Sequence, residues 1–322
     1  MRIVIYGAGA IGGVLGGRLF EHGSDVVLIA RGAHYEALRH QGLRIETSVG
    51  DDVFPVPVVD GPAAIGWRED DVVVLAMKTQ DTVDALGALA AAGGGHVPVV
   101  CAQNGVESER MAARTHDRVY GICVMCPAAH LRPGVVQAFS APMPGMFDVG
   151  RFPDGTDAMA VALAGAFRAA TFHAEARPDI MRWKYTKLLM NLGNAAEALC
   201  GPSARVSEVA RLARREGIAV LEAAGIGYVT DEDFASRRGD LIRPQAIGGG
   251  PRPGGSSWQS LERRTGRIEA DYLNGEIALL GRLHGVATPA NTLLQRAANE
   301  AARLGRPPGA MSAEELLAGL TS

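Results

Sequence analysis

The sequence predicts an α/β domain with a doubly wound parallel sheet, followed by an all-helical domain. The chain has 322 residues, more than one domain usually contains. Its first half alternates short β-branched runs with helical segments, which is the pattern of βαβ units. Later in the chain, apolar residues recur at intervals of three and four, as they do on helix faces. We therefore predict one domain over residues 1–176 and a second over residues 177–322.

The predicted strands of the first domain are short runs rich in Val and Ile, typical of parallel strands buried on both faces. They cover residues 2–6, 25–30, 71–76 and 98–102, with a further apolar run at 119–125. A helical segment at 13–21 separates the first two strands and ends at His22-Gly23, which fits a helix C-cap. The Gly/Pro-rich stretch 143–155 suggests that the sheet continues with more irregular strands.

The second domain is predicted to consist almost entirely of helices. Its helical segments are 180–200, 206–224, 257–285 and 289–304, and Ser312 with Glu315 matches the capping box of a short terminal helix. The stretch 243–255 contains five glycines and three prolines. We expect a loop there that is neither helix nor strand, and the sequence leaves open whether it acts as a lid.

Composition argues against several classes of protein. The net charge is -3 and only 5% of residues are aromatic, so we expect neither a basic face nor a stacking platform for nucleic acid. No apolar run reaches the length of a membrane span. Four cysteines are too few for a disulfide scaffold, and with no signal-peptide cleavage site they predict a cytoplasmic protein. Cys123 and Cys126 are expected to be buried thiols, and the histidine spacing predicts no metal site.

The segment Gly7-Ala8-Gly9-Ala10-Ile11-Gly12 is a GxGxxG motif between a predicted strand and a predicted helix. The first glycine allows a tight turn, the second lets a pyrophosphate approach the backbone, and the third lets helix and strand pack closely. The helix N-terminus adds N–H groups and the positive end of its dipole. The motif predicts an α/β Rossmann-type dinucleotide-binding domain, with a glycine-rich structural turn as the alternative.

Residue 31 bears on the choice of dinucleotide. An NAD-selective site places Asp or Glu near the end of the second strand, where it binds the ribose 2′-hydroxyl. This sequence has Arg31 there. A planar guanidinium would pair with a 2′-phosphate, so we predict NADPH as the cofactor, with a solvated surface arginine as the alternative.

Of the 32 basic residues only three are lysines: Lys78, Lys184 and Lys187. Lys187, Asn191 and Asn194 stand at i, i+4 and i+7 in an apolar helical segment, so they would share one face. A desolvated lysine has a lowered pKa and can donate a proton near neutral pH. An ordinary lysine on a solvated face is the alternative.

A second polar cluster follows the predicted loop. Ser256 and Gln259 fit a capping box, which places Ser257 in the first helical turn, where a hydroxyl and N–H groups can receive a carboxylate. Glu269 comes twelve residues later, beside the arginines of 263–267. From spacing alone, a surface ion pair is the default interpretation of Glu269.

Taken together, these stretches resemble the ketopantoate reductase (2-dehydropantoate 2-reductase) family. The matching pieces run through both domains in the family's order: GAGAIGG at 7–13, Arg31, MKTQ at 77–80, QNGVE at 103–107, KLLMN at 187–191, SSWQ at 256–259 and GRIEADYLNG at 266–275. The resemblance implies a substrate cleft between a Rossmann-type domain and a helical domain. It also implies NADPH-dependent reduction of ketopantoate to pantoate, a step toward pantothenate and coenzyme A.

The resemblance further implies a role for each matched residue. Lys187 matches the catalytic lysine that donates the proton to the carbonyl oxygen, and Glu269 matches the acid that holds the substrate hydroxyl. Lys184, three residues earlier, could be mistaken for that lysine. The implied substrate-binding residues are Asn104, Asn191, Asn194 and Ser257. The implied cofactor-binding residues are Gly7, Ala8, Gly9, Ala10, Ile11, Gly12, Arg31, Lys78, Gln80 and Asn104.

Three departures from the family pattern concern the substrate. Asn194 follows the lysine by seven residues, where the family has an asparagine at eight, and Trp258 and Ser260 replace a methionine and an aspartate. A paralogue that reduces a different branched 2-oxo acid is therefore an alternative, as is a non-catalytic NADPH-binding sensor. The retention of Lys187 and Glu269 argues against a sensor. Opine-type and 3-hydroxyacyl dehydrogenases share the two-domain plan but leave the serine–glutamate motif unexplained. The expected partner is a small 2-oxo acid, and a homodimer is compatible with the sequence.

Overall fold

The computed structural model describes residues 1–320, which form two compact units. The first comprises Met1–Asn104, Ser108–Lys184 and Asp231–Arg252. The second comprises Gly105–Glu107, Tyr185–Thr230 and the chain from Pro253 onward. Residues 231–252, which the sequence groups with the helical domain, thus belong to the first unit. Thr321 and Ser322, the end of the predicted second domain, lie outside the described residues.

The strands, in chain order, are β1 (Arg2–Tyr6), β2 (Asp25–Ile29), β3 (Leu43–Thr47), β4 (Gly50–Phe54), β5 (Val58–Val59), β6 (Asp71–Leu75), β7 (Val99–Cys101), β8 (Val119–Met125), β9 (Ala128–Arg132), β10 (Val135–Ala138), β11 (Ser140–Pro142), β12 (Met146–Arg151) and β13 (Ile242–Pro244). The α-helices are α1 (Ala10–Glu21), α2 (Gly32–Gln41), α3 (Thr82–Ala91), α4 (Glu107–Ala112), α5 (Ala158–Ala169), α6 (Ile180–Asn191), α7 (Asn194–Cys200), α8 (Glu208–Ala223), α9 (Asp231–Arg238), α10 (Ser256–Glu262), α11 (Asn274–His284), α12 (Pro289–Arg303) and α13 (Ala313–Ala318). Short 3₁₀ helices cover Pro62–Ala64, Thr79–Asp81, Pro202–Val206 and Glu269–Tyr272.

A seven-stranded sheet in the order β12-β8-β7-β6-β1-β2-β5 forms the centre of the first unit. Its strands are parallel except β12, which runs antiparallel to β8. β1 and β8 occupy the predicted residues, and the other predicted strands end within one residue of their predicted bounds. The predicted α/β fold is confirmed, because the β-branched runs are buried on both faces of a parallel sheet.

A second, four-stranded sheet in the order β4-β3-β10-β9 was not predicted. β4 is mostly exposed and reads GDDVF, so it lacks the apolar pattern that signals a strand. Ile45 of β3 and Val136 of β10 nevertheless join the hydrophobic core that contains Leu15 of α1. This sheet packs against α1, where a Cβ on Gly13 would meet Val136 and a Cβ on Gly17 would meet Ile45.

The predicted loop 243–255 is wrong at its start. Arg243 and Pro244 belong to β13, which pairs antiparallel with β11. Proline is tolerated at the end of such a two-stranded edge, because its missing N–H leaves no central ladder bond unmade. The partner strand β11 lies about a hundred residues earlier in the chain, so no local sequence pattern predicts β13. From residue 245 to 255 the chain is irregular, with a single bridge between Ile247 and Gly250.

The second unit is helical, as predicted, but two long predicted helices are interrupted. Segment 180–200 divides into α6 and α7 at Leu192-Gly193, where the Asn274 amide donates to the Leu192 carbonyl at 3.0 Å. Segment 257–285 divides into α10, a 3₁₀ turn and α11. The capping box of α13 is confirmed, with Ser312 accepting from the Glu315 N–H. Among residues 1–320, no helix is long and apolar enough to cross a membrane.

Candidate active site

The glycine-rich loop joins β1 to α1 in the arrangement that the motif predicts. Gly7 has φ +103°, and a Cβ there would lie 2.7 Å from the Met77 backbone nitrogen, so only glycine fits this turn. A Cβ on Gly12 would overlap the Gly7 carbonyl. A Cβ on Gly9 would meet no atom within 4 Å, so this glycine faces open space at the N-terminus of α1.

The start of α1 is suited to an anion. Gly9 is the N-cap, so no side chain of the N-cap residue binds the first N–H groups of α1. In any helix these first N–H groups have no partner within the helix. Those N–H groups and the helix dipole favour negative charge at this end. The loop residues therefore fit the pyrophosphate of a dinucleotide.

Arg31 follows β2 and is the N-cap residue of α2. Its side chain is exposed, and it makes no ion pair within residues 1–320. β2 lies next to β1, so Arg31 stands at the same carboxyl edge of the sheet as the glycine-rich loop. A guanidinium at this edge can receive a phosphate.

The motifs after β6 and β7 meet at the same edge. Thr79, between Lys78 and Gln80, donates through its hydroxyl to the Asn104 carbonyl at 3.3 Å. Gln103 is buried, and its amide donates to the Thr82 hydroxyl at 2.8 Å. Lys78, Gln80 and Asn104 are all half-buried. The structure thus brings the MKTQ and QNG segments together at the carboxyl ends of neighbouring strands, where open α/β sheets bind their ligands.

The two lysines of α6 have different surroundings. Lys184 is 3% exposed, and its Nζ lies 2.7 Å from Glu109 Oε1. It also donates to the carbonyls of Gln103 and Ile122 at 3.0 and 3.2 Å. Lys187 is half-buried in the second unit. Lys184 is thus enclosed within the first unit by an acidic side chain and two backbone carbonyls.

Asn191 and Asn194 are buried, with 3% and 5% exposure. Asn191 lies one helical turn after Lys187 on the same face of α6. Asn194 begins α7, after a break at Leu192-Gly193. Spacing along a single helix therefore no longer fixes whether Asn194 shares a face with Lys187 and Asn191.

Ser257 and Glu269 are buried, with 3% and 4% exposure. The surface ion pair that spacing suggests for Glu269 is therefore wrong. The hydroxyl near Glu269 belongs to Ser256, whose Oγ donates to Oε2 at 3.4 Å. The predicted capping box is also wrong, because Gly255 is the N-cap of α10.

Sequence reasoning missed Glu197, which holds the start of α10. Its carboxylate accepts from the Gly255 N–H at 2.8 Å, and a Cβ on Gly255 would crowd it. Glu197 thus accepts from the N–H of the N-cap residue, the bond that the third helical side chain of a capping box would have made, directly before Ser256 and Ser257. A buried glutamate in the apolar segment AAEALC was the available signal.

Cys123 and Cys126 are buried, as predicted, and burial raises the pKa of Cys126 to about 12. The Cys126 thiol is therefore not suited to nucleophilic chemistry. Within residues 1–320, no cluster of three or more His, Cys, Asp or Glu side chains could hold a metal ion.

Comparison with known proteins finds relatives of both parts of the chain. The family model described as "Ketopantoate reductase PanE/ApbA" matches residues 3–154, and the model for its C-terminal part matches residues 179–302. A 2-dehydropantoate 2-reductase of Mesorhizobium japonicum is 32% identical over 324 residues, covering 90% of this chain and 94% of that relative.

Solved structures share the fold over nearly the whole chain. A crystal structure of a PanE/ApbA family ketopantoate reductase from Ralstonia eutropha has a TM-score of 0.79 at 29% identity, covering 95% of this chain and 100% of that chain. The ternary structure of a D-mandelate dehydrogenase with NADH and anilino(oxo)acetate has a TM-score of 0.76 at 23% identity, covering 95% and 99%. At that identity, the second likeness shows a shared fold.

Proposed function

This chain belongs to the ketopantoate reductase family, and on that premise we propose that it reduces ketopantoate to pantoate with NADPH. The observation that carries the proposal is the glycine-rich loop before α1, with Gly7 in a turn open only to glycine and Gly9 facing open space. It occurs in a chain whose two parts both match the family. The relative from Mesorhizobium japonicum is named for this same reaction.

Arg31 supports NADPH rather than NADH. Its exposed guanidinium, at the edge of the sheet beside the loop, is suited to pair with the 2′-phosphate that distinguishes NADPH. No acidic side chain occupies this position to bind a ribose 2′-hydroxyl. When bound, the nicotinamide supplies the hydride that reduces the carbonyl carbon. The D-mandelate dehydrogenase of similar fold contains NADH, so the choice between the two dinucleotides needs a direct test.

Lys187 is the proposed proton donor. Negative charge develops on the carbonyl oxygen during reduction, and an ammonium group both stabilises that charge and supplies the proton. Half-burial on α6, one turn before the buried Asn191, supports this role. The alternative lysine, Lys184, is committed to a buried ion pair with Glu109.

Buried polar side chains are the proposed substrate contacts. Ser257, Asn191 and Asn194, together with Asn104, are suited to hold the carboxylate and the carbonyl of a 2-oxo acid. Glu269 is proposed to accept a hydrogen bond from the substrate hydroxyl. Its carboxylate is buried and accepts from the Ser256 hydroxyl at 3.4 Å, which places a hydrogen-bond acceptor beside the serine motif.

A different branched 2-oxo acid is the second candidate substrate. The observation that favours it is Trp258, which is half-buried and packs so closely on Gly254 that a Cβ there would lie 2.4–2.8 Å from its atoms, below contact distance. A bulky indole in the serine motif would alter the shape of a pocket beside Ser257. A sensor without turnover is disfavoured, because it needs neither the lysine nor the buried glutamate.

The test is a substrate panel. NADPH oxidation is followed with ketopantoate and with several branched and linear 2-oxo acids, using Lys187→Ala as the matched variant. Turnover that is fastest with ketopantoate and falls at least about a hundredfold in the variant supports both the reaction and the proton donor. Fast turnover of another 2-oxo acid supports the second candidate, and NADPH binding without any turnover supports the sensor.

A further inference from the structure

His34 connects the glycine-rich loop to two other segments of the first unit. It lies in the first turn of α2, and its Nε2 is 2.7 Å from the Ala8 carbonyl oxygen. The Gly134 N–H, in the turn between β9 and β10, donates to its Nδ1 at 2.9 Å. Because Nδ1 accepts a hydrogen bond, the ring is neutral and its proton is on Nε2, from where it donates to Ala8.

The surroundings fix both the protonation and the direction of this ring. His34 is half-buried, and burial lowers its pKa below the ordinary value, which favours the neutral form. The His130 ring packs against it at an interplanar angle of 49°, with centroids 4.2 Å apart. His130 is oriented in turn by a 3.0 Å hydrogen bond between its Nδ1 and the Val135 carbonyl. The donor on Nε2 is therefore aimed at Ala8 by contacts on one face and one edge of the ring.

The Ala8 carbonyl belongs to the same peptide group as the Gly9 N–H. In a planar trans peptide these two bonds point in opposite directions, so a hydrogen bond that fixes the carbonyl also fixes the N–H. Hydrogen bonding at the carbonyl also polarises the peptide and makes its N–H a stronger donor. The preceding peptide is fixed as well, because the Ala8 N–H donates to the Ile29 carbonyl at 3.2 Å. Without His34, the Ala8-Gly9 peptide could rotate more freely, because the adjacent Gly9 is flexible and restricts it little.

We propose that His34 is a positioning residue for the dinucleotide, holding the Ala8-Gly9 peptide so that the Gly9 N–H is presented to the pyrophosphate. The proposal rests on the proposed function in one respect, that the glycine-rich loop binds a nicotinamide dinucleotide. His34 acts on the part of the cofactor that NADPH and NADH share. Arg31, by contrast, acts on the 2′-phosphate that NADPH alone has.

Two variants of the full-length chain separate the hydrogen bonds of His34. The amide nitrogen of a glutamine reaches the place of Nε2, so His34→Gln retains the donor to Ala8. The amide of an asparagine ends at the place of Nδ1, so His34→Asn retains an acceptor for Gly134 but loses the donor. His40→Asn, an exposed histidine of the same helix, is the matched control. The dissociation constants of NADPH and NADH are measured by fluorescence, and hydrogen exchange of residues 7–13 is measured without cofactor.

We expect His34→Asn to weaken the binding of NADPH and of NADH by the same factor, about tenfold each. Hydrogen exchange in the glycine-rich loop should become faster. His34→Gln should stay within about threefold of the wild type, and kcat at saturating NADPH should be unchanged in both. Equal affinities in the wild type and His34→Asn would overturn the positioning role. Equal losses in the Gln and Asn variants would also overturn it, because a structural role does not depend on the donor. A wild type that binds neither dinucleotide would instead overturn the proposed function.

Discussion

At the scale of single residues, burial separates side chains that the sequence presents as equivalents. Lys184 and Lys187 stand three positions apart in one helix, and both lie in a motif-rich segment. The ammonium of Lys184 is enclosed with Glu109 and two backbone carbonyls, while Lys187 retains access to solvent. The sequence predicts a functional lysine in this segment, but the ion pair of Lys184 joins residues 75 positions apart and leaves no local pattern.

Lys184→Met should destabilise the fold without acting on the proposed chemistry directly. Burial already raises the pKa of Glu109, and the ammonium 2.7 Å away opposes that rise. Removing the ammonium leaves a buried carboxylate unpaired, which costs about 3–5 kcal/mol of unfolding free energy. Denaturant unfolding monitors the loss. The double variant Lys184→Met/Glu109→Leu should recover most of it, since no charge is then left without a partner. A single variant as stable as the wild type would contradict the structural role.

Arg31→Ala should change the choice between dinucleotides rather than the binding of both. The exposed guanidinium contributes a charge-assisted pair to the 2′-phosphate, so NADPH affinity should fall about 10- to 100-fold. NADH affinity should change by less than about threefold, because NADH lacks that phosphate. Titration of each dinucleotide against the wild type and the variant gives the ratio. An undiminished preference for NADPH would refute the assignment of Arg31, and Arg39→Ala on the same helix is the exposed control.

At the scale of elements, strands were predicted correctly where they are buried and carry a clear local sequence pattern. β1 and β8 were located correctly because both faces are buried, so nearly all of their residues are apolar, Arg2 being an exception that pairs with Asp71. β4 and β13 were missed because they are exposed or very short and exist through partners elsewhere in the chain. The break between α6 and α7 was missed because helical periodicity continues across it, and only the Asn274 side chain reveals the turn.

The position of α9 depends on an ion-pair cluster that cannot be recognised from the sequence of the helix. Arg237 donates to Asp148 of β12 at 2.6 and 2.9 Å, and Arg177 donates to the same carboxylate at 2.7 Å. Burial tends to raise the pKa of Asp148, but these hydrogen bonds lower it below the ordinary range. Phe234 of α9 adds a ring contact with Trp183 at 5.8 Å. These contacts account for the position of residues 231–238 in the first unit.

Arg237→Met should loosen α9 while leaving Asp148 paired with Arg177. We expect a loss of about 1.5–3 kcal/mol in unfolding free energy, the usual contribution of hydrogen bonds to a charged group. Faster hydrogen exchange over 231–244 should accompany it, because β13 follows α9 directly. Arg238→Met, on the exposed side of the same helix, is the control. Unchanged exchange in Arg237→Met would show that the ring contact alone holds the helix.

At the scale of the whole molecule, the sequence predicted the succession of an α/β part and a helical part but not the return of the chain. Residues 231–252 rejoin the first unit after the helices α7 and α8 have formed part of the second. Composition along the chain reports local structure only. In composition, residues 231–252 are similar to the helical segments before and after them, so nothing local assigns them to the first unit. Membership of a unit is decided by distant partners, here β11 and Asp148. The roles of the site residues stay predictions for the same reason, since they depend on side chains brought together from distant positions.

The stability of the whole molecule should fall as the pH drops through about 6.5. His34, His116 and His173 each have a pKa below the ordinary value of 6.5, with burial as the largest cause. For His173 the adjacent Arg237 guanidinium lowers the pKa further. A lowered pKa means that the unfolded chain binds these protons more tightly than the folded chain. Acid therefore favours unfolding, from the ordinary pKa down to each lowered one.

Thermal unfolding measured between about pH 7.5 and 5.5 tests this sign, because most carboxylates titrate below that interval. We expect Tm to be constant near the upper limit and to fall steadily below about pH 6.5. The double variant His34→Gln/His116→Gln removes two of the three groups, so its Tm should depend less on pH even if its absolute stability is lower. His40→Gln alters an exposed histidine and should leave the slope unchanged. A wild-type Tm that rises toward acid pH would show that the protonated imidazoles find acceptor partners in the folded chain, contrary to the hydrogen bond that His34 Nδ1 accepts from Gly134.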